Sequence, residues 1–386
     1  MTEQKPHRAR DYRLDFFRGL ALILIFIDHI PDNILGWFTM PTFAFCDAAE
    51  VFIFISGYAA GLVYGRVMEH QGMLFATARI YKRAWQLYVT HLCLFMLFTA
   101  EVSYTVLRFN NPMYNDELRV GDFLAEPDIS VIKALTLEFQ PTFLDILPLY
   151  IALLLVLPLI LLGLRRFKLF TLIPAVALYA AVQIWDLNLA AYPEGRVWFF
   201  DPLAWQLPFV LGAVFGYAKV HRQVLLPQGK GLVIAAAVIA GLACVIRLMW
   251  VAHGFWEAVP APLLSLLEPV DKTGLAPSRL INFIALAILA ARLVPPDARF
   301  LATRLARPII ICGQNSLEVF CFGILLALLG HFVLVEMSDA LPVQLAVNAA
   351  GIGLMVALGY LLAWYGNGGK LPATLEQAPV ADEARQ

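Results

Sequence analysis

The stretch RLDFFRGLALILIFIDHIP, from Arg13 to Pro31, is apolar enough for a membrane helix. It nevertheless carries Asp15 and Arg18 at one end and Asp28 and His29 at the other. On a helix turning about 100° per residue, Asp15, Arg18 and His29 fall within roughly 40° of one another, with Leu22 and Ile25 between them. Charge on a spanning helix must face protein or water, because exposure to lipid is too costly. One face of this first helix is therefore polar near both membrane surfaces, with about 20 Å between Asp15 and His29 at 1.5 Å per residue. A site that handles something at both faces of a bilayer is the first expectation.

The rest of the chain repeats the apolar theme. Of 386 residues, 60% are hydrophobic and 15% charged, and the mean hydropathy is +0.73. Soluble domains carry about 25% charged residues, so the composition is that of a polytopic membrane protein. About ten spans are expected, near residues 15–37, 47–65, 84–107, 143–163, 169–187, 202–219, 231–252, 279–295, 309–335 and 341–364. They leave no room for a sizeable soluble domain: residues 1–14 form a short leading segment, 15–365 the membrane domain, and 366–386 a tail of disordered character. The first apolar run has no small-residue cleavage site and is followed at once by a second, so it reads as a retained span. The five cysteines are scattered, lack metal-ligand spacing and read as packing residues; no metal is expected.

Charges between the spans alternate. Lys5, Arg8, Arg10 and Arg13 precede the first, Arg66, Arg79, Lys82 and Arg83 follow the second, and Arg165, Arg166 and Lys168 follow the fourth. Lys219, Arg222 and Lys230 follow the sixth, and Arg299, Arg304 and Arg307 the eighth. The intervening loops hold only Arg119, Lys133, Arg196, Lys272 and Arg279. By the positive-inside rule both termini are cytoplasmic. The longest outer loop, 109–141, is acidic and includes an amphipathic stretch, Asp128–Phe139. The loop from His253 to Ser278 is Pro-rich and holds Asp271–Lys272.

With this orientation Asp28 and His29 lie at the outer end of the first helix, level with Glu50, Asp145, Asp201 and Asp271, and with Asn282 one turn inside the eighth span. Carboxylates at helix N-termini complement the dipole without any function. A histidine with this many acidic groups at one level is harder to dismiss, since a His–carboxylate pair suits the deprotonation of a hydroxyl. Gly57, Gly61 and Gly65 recur every four residues in the second span and read as close helix packing; Ser56 beside them reads as bonded to its own helix rather than as a nucleophile. Arg79, Lys82 and Arg83 set topology and also suit a phosphate-bearing cofactor. Gln314, Asn315, Ser316 and Glu318 sit inside the ninth span, where polarity serves helix contacts or lines a cofactor passage. Arg247, deep in the seventh span, needs a partner.

At these residues the chain resembles the OpgC family, membrane succinyltransferases that modify osmoregulated periplasmic glucans. The segments that carry the resemblance are LDFFRGLALILIFIDHIP, DAAEVFIFISGYAAGLVYG, LDILPLY, FDPLAWQLPFVLG, DKTGLAPSRLINFIALA and ICGQNSLEVFCFG. The resemblance implies an all-α bundle of about ten spans in the bacterial inner membrane. Such a bundle takes a succinyl group from cytoplasmic succinyl-CoA as co-substrate and places it on a periplasmic glucan hydroxyl. The family pattern has His at the position of Asn282 and often at that of Asn315, so no proton-handling role carries over there. His29 is then the expected base, with Asp28 or Glu50 orienting it. Arg18, Asp145, Asp201, Arg247, Asp271, Lys272 and Asn282 are expected at the substrate. Arg79, Lys82, Arg83, Asn315, Ser316 and Glu318, with the Arg165–Lys168 loop, are expected near the donor. Arg247 and Lys272 are the candidates for the succinyl carboxylate, unless Arg247 pairs with Asp201 or Glu50 and Lys272 with Asp271. No nucleic-acid partner is expected, and the sequence leaves the oligomeric state open. The competing readings are an O-acetyltransferase acting on another extracytoplasmic glycan and a transporter or flippase of a sugar-bearing or anionic substrate.

Overall fold

The computed structural model describes residues 11–109, 120–251 and 271–369. Asp116 and Glu117 of the acidic loop, most of the Pro-rich 253–278 loop and the expected disordered tail after residue 369 lie outside them. The helices, in chain order, are α1 (Tyr12–Asp28), α2 (Met40–Phe43), α3 (Ala48–Gln71), α4 (Met73–Phe109), α5 (Gly121–Ala125), α6 (Pro127–Leu135) and α7 (Ile146–Phe167). Then come α8 (Leu172–Trp185), α9 (Pro202–Val220), α10 (Lys230–Val251), α11 (Pro277–Leu293), α12 (Ala306–Gln314), α13 (Ser316–Glu336) and α14 (Leu341–Gly366). A two-residue hairpin pairs Ala190–Ala191 with Arg196–Val197. The amphipathic stretch expected near Asp128–Phe139 is α6.

Seven helices among the described residues are long and apolar enough to cross a membrane: α3, α4, α7, α9, α10, α13 and α14. The other three expected spans coincide with α1, α8 and α11, which have 17, 14 and 17 residues. At 1.5 Å per residue, α1 and α11 reach about 25 Å, short of a hydrocarbon core of about 30 Å. The architecture is an all-α membrane one, but two expected spans are not single helices. The first, drawn over 15–37, ends at Asp28: Pro31 disfavours helical backbone at Ile30, and a 3-10 turn follows at Ile34–Phe38. The ninth, drawn over 309–335, breaks at Asn315, the joint between α12 and α13.

The chain divides into two compact units, Met1–Gly36 with Leu289–Gln386, and Trp37–Ile288. In the first, Asp11 caps α1 by accepting the Arg13 N–H. Gly19 of α1 and Gly313 of α12 face each other so closely that a Cβ on either would strike backbone, the Ile309 carbonyl in one case and the Asp15 carbonyl in the other. This contact buries Asp15 and explains why the polar stripe of α1 does not need lipid-facing charge. Gly351 of α14 makes room for the Phe26 ring of α1, a side-chain contact rather than a backbone one.

In the second unit the sequence D-A-A-E at 47–50 is a capping box: Asp47 accepts the Ala49 N–H, and Glu50 reaches back to the Asp47 N–H. The glycine repeat of α3 packs as expected and meets a counterpart. Gly57 and Gly61 press on the backbone of Phe209 and Ala213 in α9, while Gly212 and Gly216 of α9 press on Phe54 and Tyr58 in α3. Four small residues thus bring two backbones into contact. Asp201 caps α9, with Pro202 at its first position. The turn after Asp271 is tied to α8 and α9: Tyr179 donates to the Leu275 carbonyl at 2.8 Å and Gln183 to that of Gly274 at 2.6 Å. Trp205 donates to that of Lys272 at 3.0 Å.

Candidate active site

His29 follows the last residue of α1. Its backbone N–H donates to the Ile25 carbonyl at 3.0 Å, and its ring Nδ1 lies 2.6 Å from the same oxygen. A carbonyl oxygen only accepts, so Nδ1 carries a proton in this contact, and in the neutral ring the lone pair belongs to Nε2. The ring is half-buried, and the contact fixes its orientation at Nδ1. The turn beyond it is locked by two buried amides. Asn33 donates to the Ile27 carbonyl at 3.2 Å and to Asn348 Oδ1 at 2.9 Å; Asn348 donates back to Asn33 Oδ1 at 2.8 Å and to the Gln344 carbonyl at 2.8 Å. Asp28, expected to orient the imidazole, is exposed. At Nδ1 that task falls to a backbone carbonyl.

At the other end of α1, Asp15 is buried and accepts from Gln314 at 3.4 Å; Arg18, one turn on, is half-buried. Asn315 sits at a break rather than within a continuous span. It fills the break between α12 and α13, donating to the Ile311 carbonyl at 3.0 Å and the Gly359 carbonyl at 3.4 Å. Ser316 starts α13, and Glu318 in its first turn is exposed rather than enclosed, where the helix dipole favours it.

The second unit gathers a charged cluster where α3 begins. Arg279 Nε donates to Glu50 at 2.7 Å, and its Nη2 to Asp47 at 3.0 Å. Lys272 lies 2.8 Å from the same Asp47 carboxylate and over the Phe199 and Phe200 rings. Burial alone would raise the Asp47 carboxyl, but Lys272 and Arg279 together outweigh it and hold it below the usual carboxylate range. Glu50 is fully buried with both oxygens committed, one to Arg279 and one to the Asp47 N–H. Glu50, expected to orient His29, is ion-paired within its own unit. Three residues after Arg279, Asn282 accepts the Phe45 N–H at 3.0 Å. Arg247 donates to the Pro41 carbonyl at 2.6 Å and stacks on Trp250.

Neither anticipated pairing of the cations occurs. Lys272 takes Asp47 rather than its neighbour Asp271, whose two oxygens accept the Thr273 and Gly274 N–H groups of their own turn. Arg247 pairs with neither Asp201 nor Glu50. Asp201 is buried, caps α9 with one oxygen and leaves the other without a partner; burial pushes its carboxyl up to about 6. Asp145 sits half-buried ahead of α7. Asp47 and Arg279 escape sequence reasoning as site residues. The D-x-x-E signature could have flagged Asp47, whereas Arg279 reads only as a loop charge.

The basic end of this unit is also assembled. Arg79 and Arg83 of α4 come within electrostatic reach of Tyr64 on α3, and Arg165 of α7 within reach of Tyr217 on α9. Tyr217 donates to Glu69 at 2.6 Å. Arg79 and Lys82 are exposed and Arg83 half-buried, so guanidinium and ammonium donors remain accessible. Among the described residues no group of three or more His, Cys, Asp or Glu is arranged to hold a metal ion.

A family model described as OpgC protein matches residues 10–367, nearly the whole chain. No curated protein and no solved structure matches it.

Proposed function

Because the chain belongs to the OpgC protein family, we propose that it is a multi-pass inner-membrane acyltransferase moving a succinyl group from cytoplasmic acyl-CoA to hydroxyls of periplasmic glucans. The observation that carries the catalytic part is the His29 ring, tethered at Nδ1 to the Ile25 carbonyl at the end of α1. In the reaction, Nε2 takes the proton of a glucan primary hydroxyl as that oxygen attacks the thioester carbonyl. Collapse of the tetrahedral adduct breaks the carbon–sulfur bond, and the imidazolium returns its proton to the departing thiolate. The ester forms and free coenzyme A leaves.

The Ile25 carbonyl acts as the positioning group, since a ring turned over would offer N–H where a lone pair is needed. The Asn33–Asn348 pair fixes the turn from which the ring projects. Arg79, Lys82, Arg83 and Arg165 suit the phosphates of the donor, for which charge-assisted bonds are strong.

Purified protein incubated with labelled succinyl-CoA and glucan should place label on the glucan. His29→Ala, at normal folded levels, should lose about 10²–10⁴ in rate, the usual loss on removing a general base. Full activity in that variant would remove His29 from the mechanism. Movement of glucan or anion across vesicles without ester formation would instead establish the transporter reading.

A further inference from the structure

The cluster at the start of α3 holds three cations, Arg247, Lys272 and Arg279, against two carboxylates, Asp47 and Glu50. Arg279 is matched by both acids and Lys272 by Asp47. Among the described residues Arg247 has no carboxylate partner, and its one hydrogen bond there runs from Nε to the Pro41 carbonyl, with none from the Nη fork. The position is a costly one for a lone cation. Arg247 is half-buried within an apolar helix, and the nearby Arg279 adds repulsion. The Trp250 ring fixes its plane, with the guanidinium carbon 4.9 Å from the ring centre.

A second, independent donor belongs to Asn282, whose amide holds the Phe45 backbone. Asn282 is almost fully buried, and its Oδ1 accepts the Phe45 N–H, which settles which end of the amide is oxygen. Its Nδ2 is buried with no hydrogen-bond partner among the described residues. The two donors are linked through packed rings, since Phe45 lies 5.6 Å from Trp250. A buried amide donor left unsatisfied in the protein calls for an acceptor from outside it.

We infer that Arg247 and Asn282 form a carboxylate subsite walled by Trp250 and Phe45, which takes the free carboxylate of a short dicarboxylic acyl group. The inference rests on the acyltransferase reading for the identity of the ligand. A guanidinium fork matches a carboxylate in two parallel bonds, and the amide N–H suits a further oxygen acceptor. Lys272, the other cation suggested by the sequence, is already consumed by Asp47. A neutral acyl group of the same length would leave both donors unpaired, so the subsite discriminates between donors of equal size.

The test compares succinyl-CoA with butyryl-CoA as donors for purified full-length protein, in wild type, Arg247→Met, Asn282→Asp and the control Lys272→Met. Arg247→Met should raise the KM for succinyl-CoA at least tenfold and leave that for butyryl-CoA within about twofold, as expected when a charge-assisted bond is lost. Asn282→Asp keeps the acceptor for Phe45 but removes the donor, and should shift the donor ratio in the same direction. Free succinate, but not butyrate, should raise the thermal midpoint of wild type and lose that effect in Arg247→Met, a readout that requires no turnover. If no donor is transferred but succinate still stabilises wild type through Arg247, the acyltransferase reading fails and the subsite stands. An unchanged succinyl-to-butyryl ratio in Arg247→Met, with undiminished stabilisation by succinate, would overturn the subsite.

Discussion

Replacing Arg279 by Met tests whether the charged cluster holds the second unit together. Among the described residues, the substitution leaves the fully buried Glu50 with only the Asp47 N–H, and Asp47 with Lys272 as its sole paired cation. Breaking a buried pair by removing one partner costs about 3–5 kcal/mol, because the surviving charge stays desolvated. At about 1.4 kcal/mol per factor of ten, that is a rise of roughly 10²–10³·⁵ in the unfolded-to-folded ratio. Glu50→Gln in the same background should recover a large part of the loss. A glutamine can still accept from Asp47 and keep the capping box, yet it carries no charge to strand. The coupling between the two substitutions should therefore lie near the upper end of the usual 0.5–3 kcal/mol for residues in direct contact. Unfolding in mixed detergent micelles, followed by tryptophan fluorescence, measures all four corners of the cycle. A loss below about 1 kcal/mol for Arg279→Met, or effects that simply add, would refute the reasoning, since exposed pairs behave that way.

Two further outcomes are expected. Asp201 titrates near 6 in the folded protein against about 4 in the unfolded chain, because burial disfavours its charged form. The folded state therefore binds more protons between pH 4 and 6, and stability falls as pH rises through that window, by about 3 kcal/mol at most. Asp201→Asn keeps an oxygen for the α9 cap and should remove this slope, becoming the more stable protein above pH 6; pH-dependent unfolding of the two proteins decides it, and parallel profiles would mean that Asp201 does not titrate in this range. At the basic end, Arg79→Gln with Arg83→Gln should raise the KM for acyl-CoA by about tenfold and leave that for glucan unchanged, in the manner of lost phosphate contacts. Equal donor affinity in the double variant would confine these residues to setting topology.

The amino-acid sequence by itself determined the class of the molecule. Long apolar runs specify helices in a membrane wherever they fall, because only an internally bonded backbone survives in hydrocarbon. The seven long apolar helices follow from it, as do the cap at Asp47–Glu50, the close packing of Gly57 and Gly61, and the polar stripe on α1, since each depends on residues within a few turns of one another. Helix ends were less legible. Apolar content alone draws the first span through to residue 37, whereas Pro31 and the Asn33 amide end it at Asp28, and nothing in ICGQNSLEVF announces the break at Asn315. The site was legible as a list of residue types and not as a set of partners. Arg279 meets Glu50 from 229 positions away, and Lys272 passes over its neighbour Asp271 for Asp47. Only the packing of α11 and the 271–276 turn against the start of α3 made those choices. A charge is satisfied by whichever counter-charge the fold brings within about 3 Å, and sequence separation carries no information about that distance.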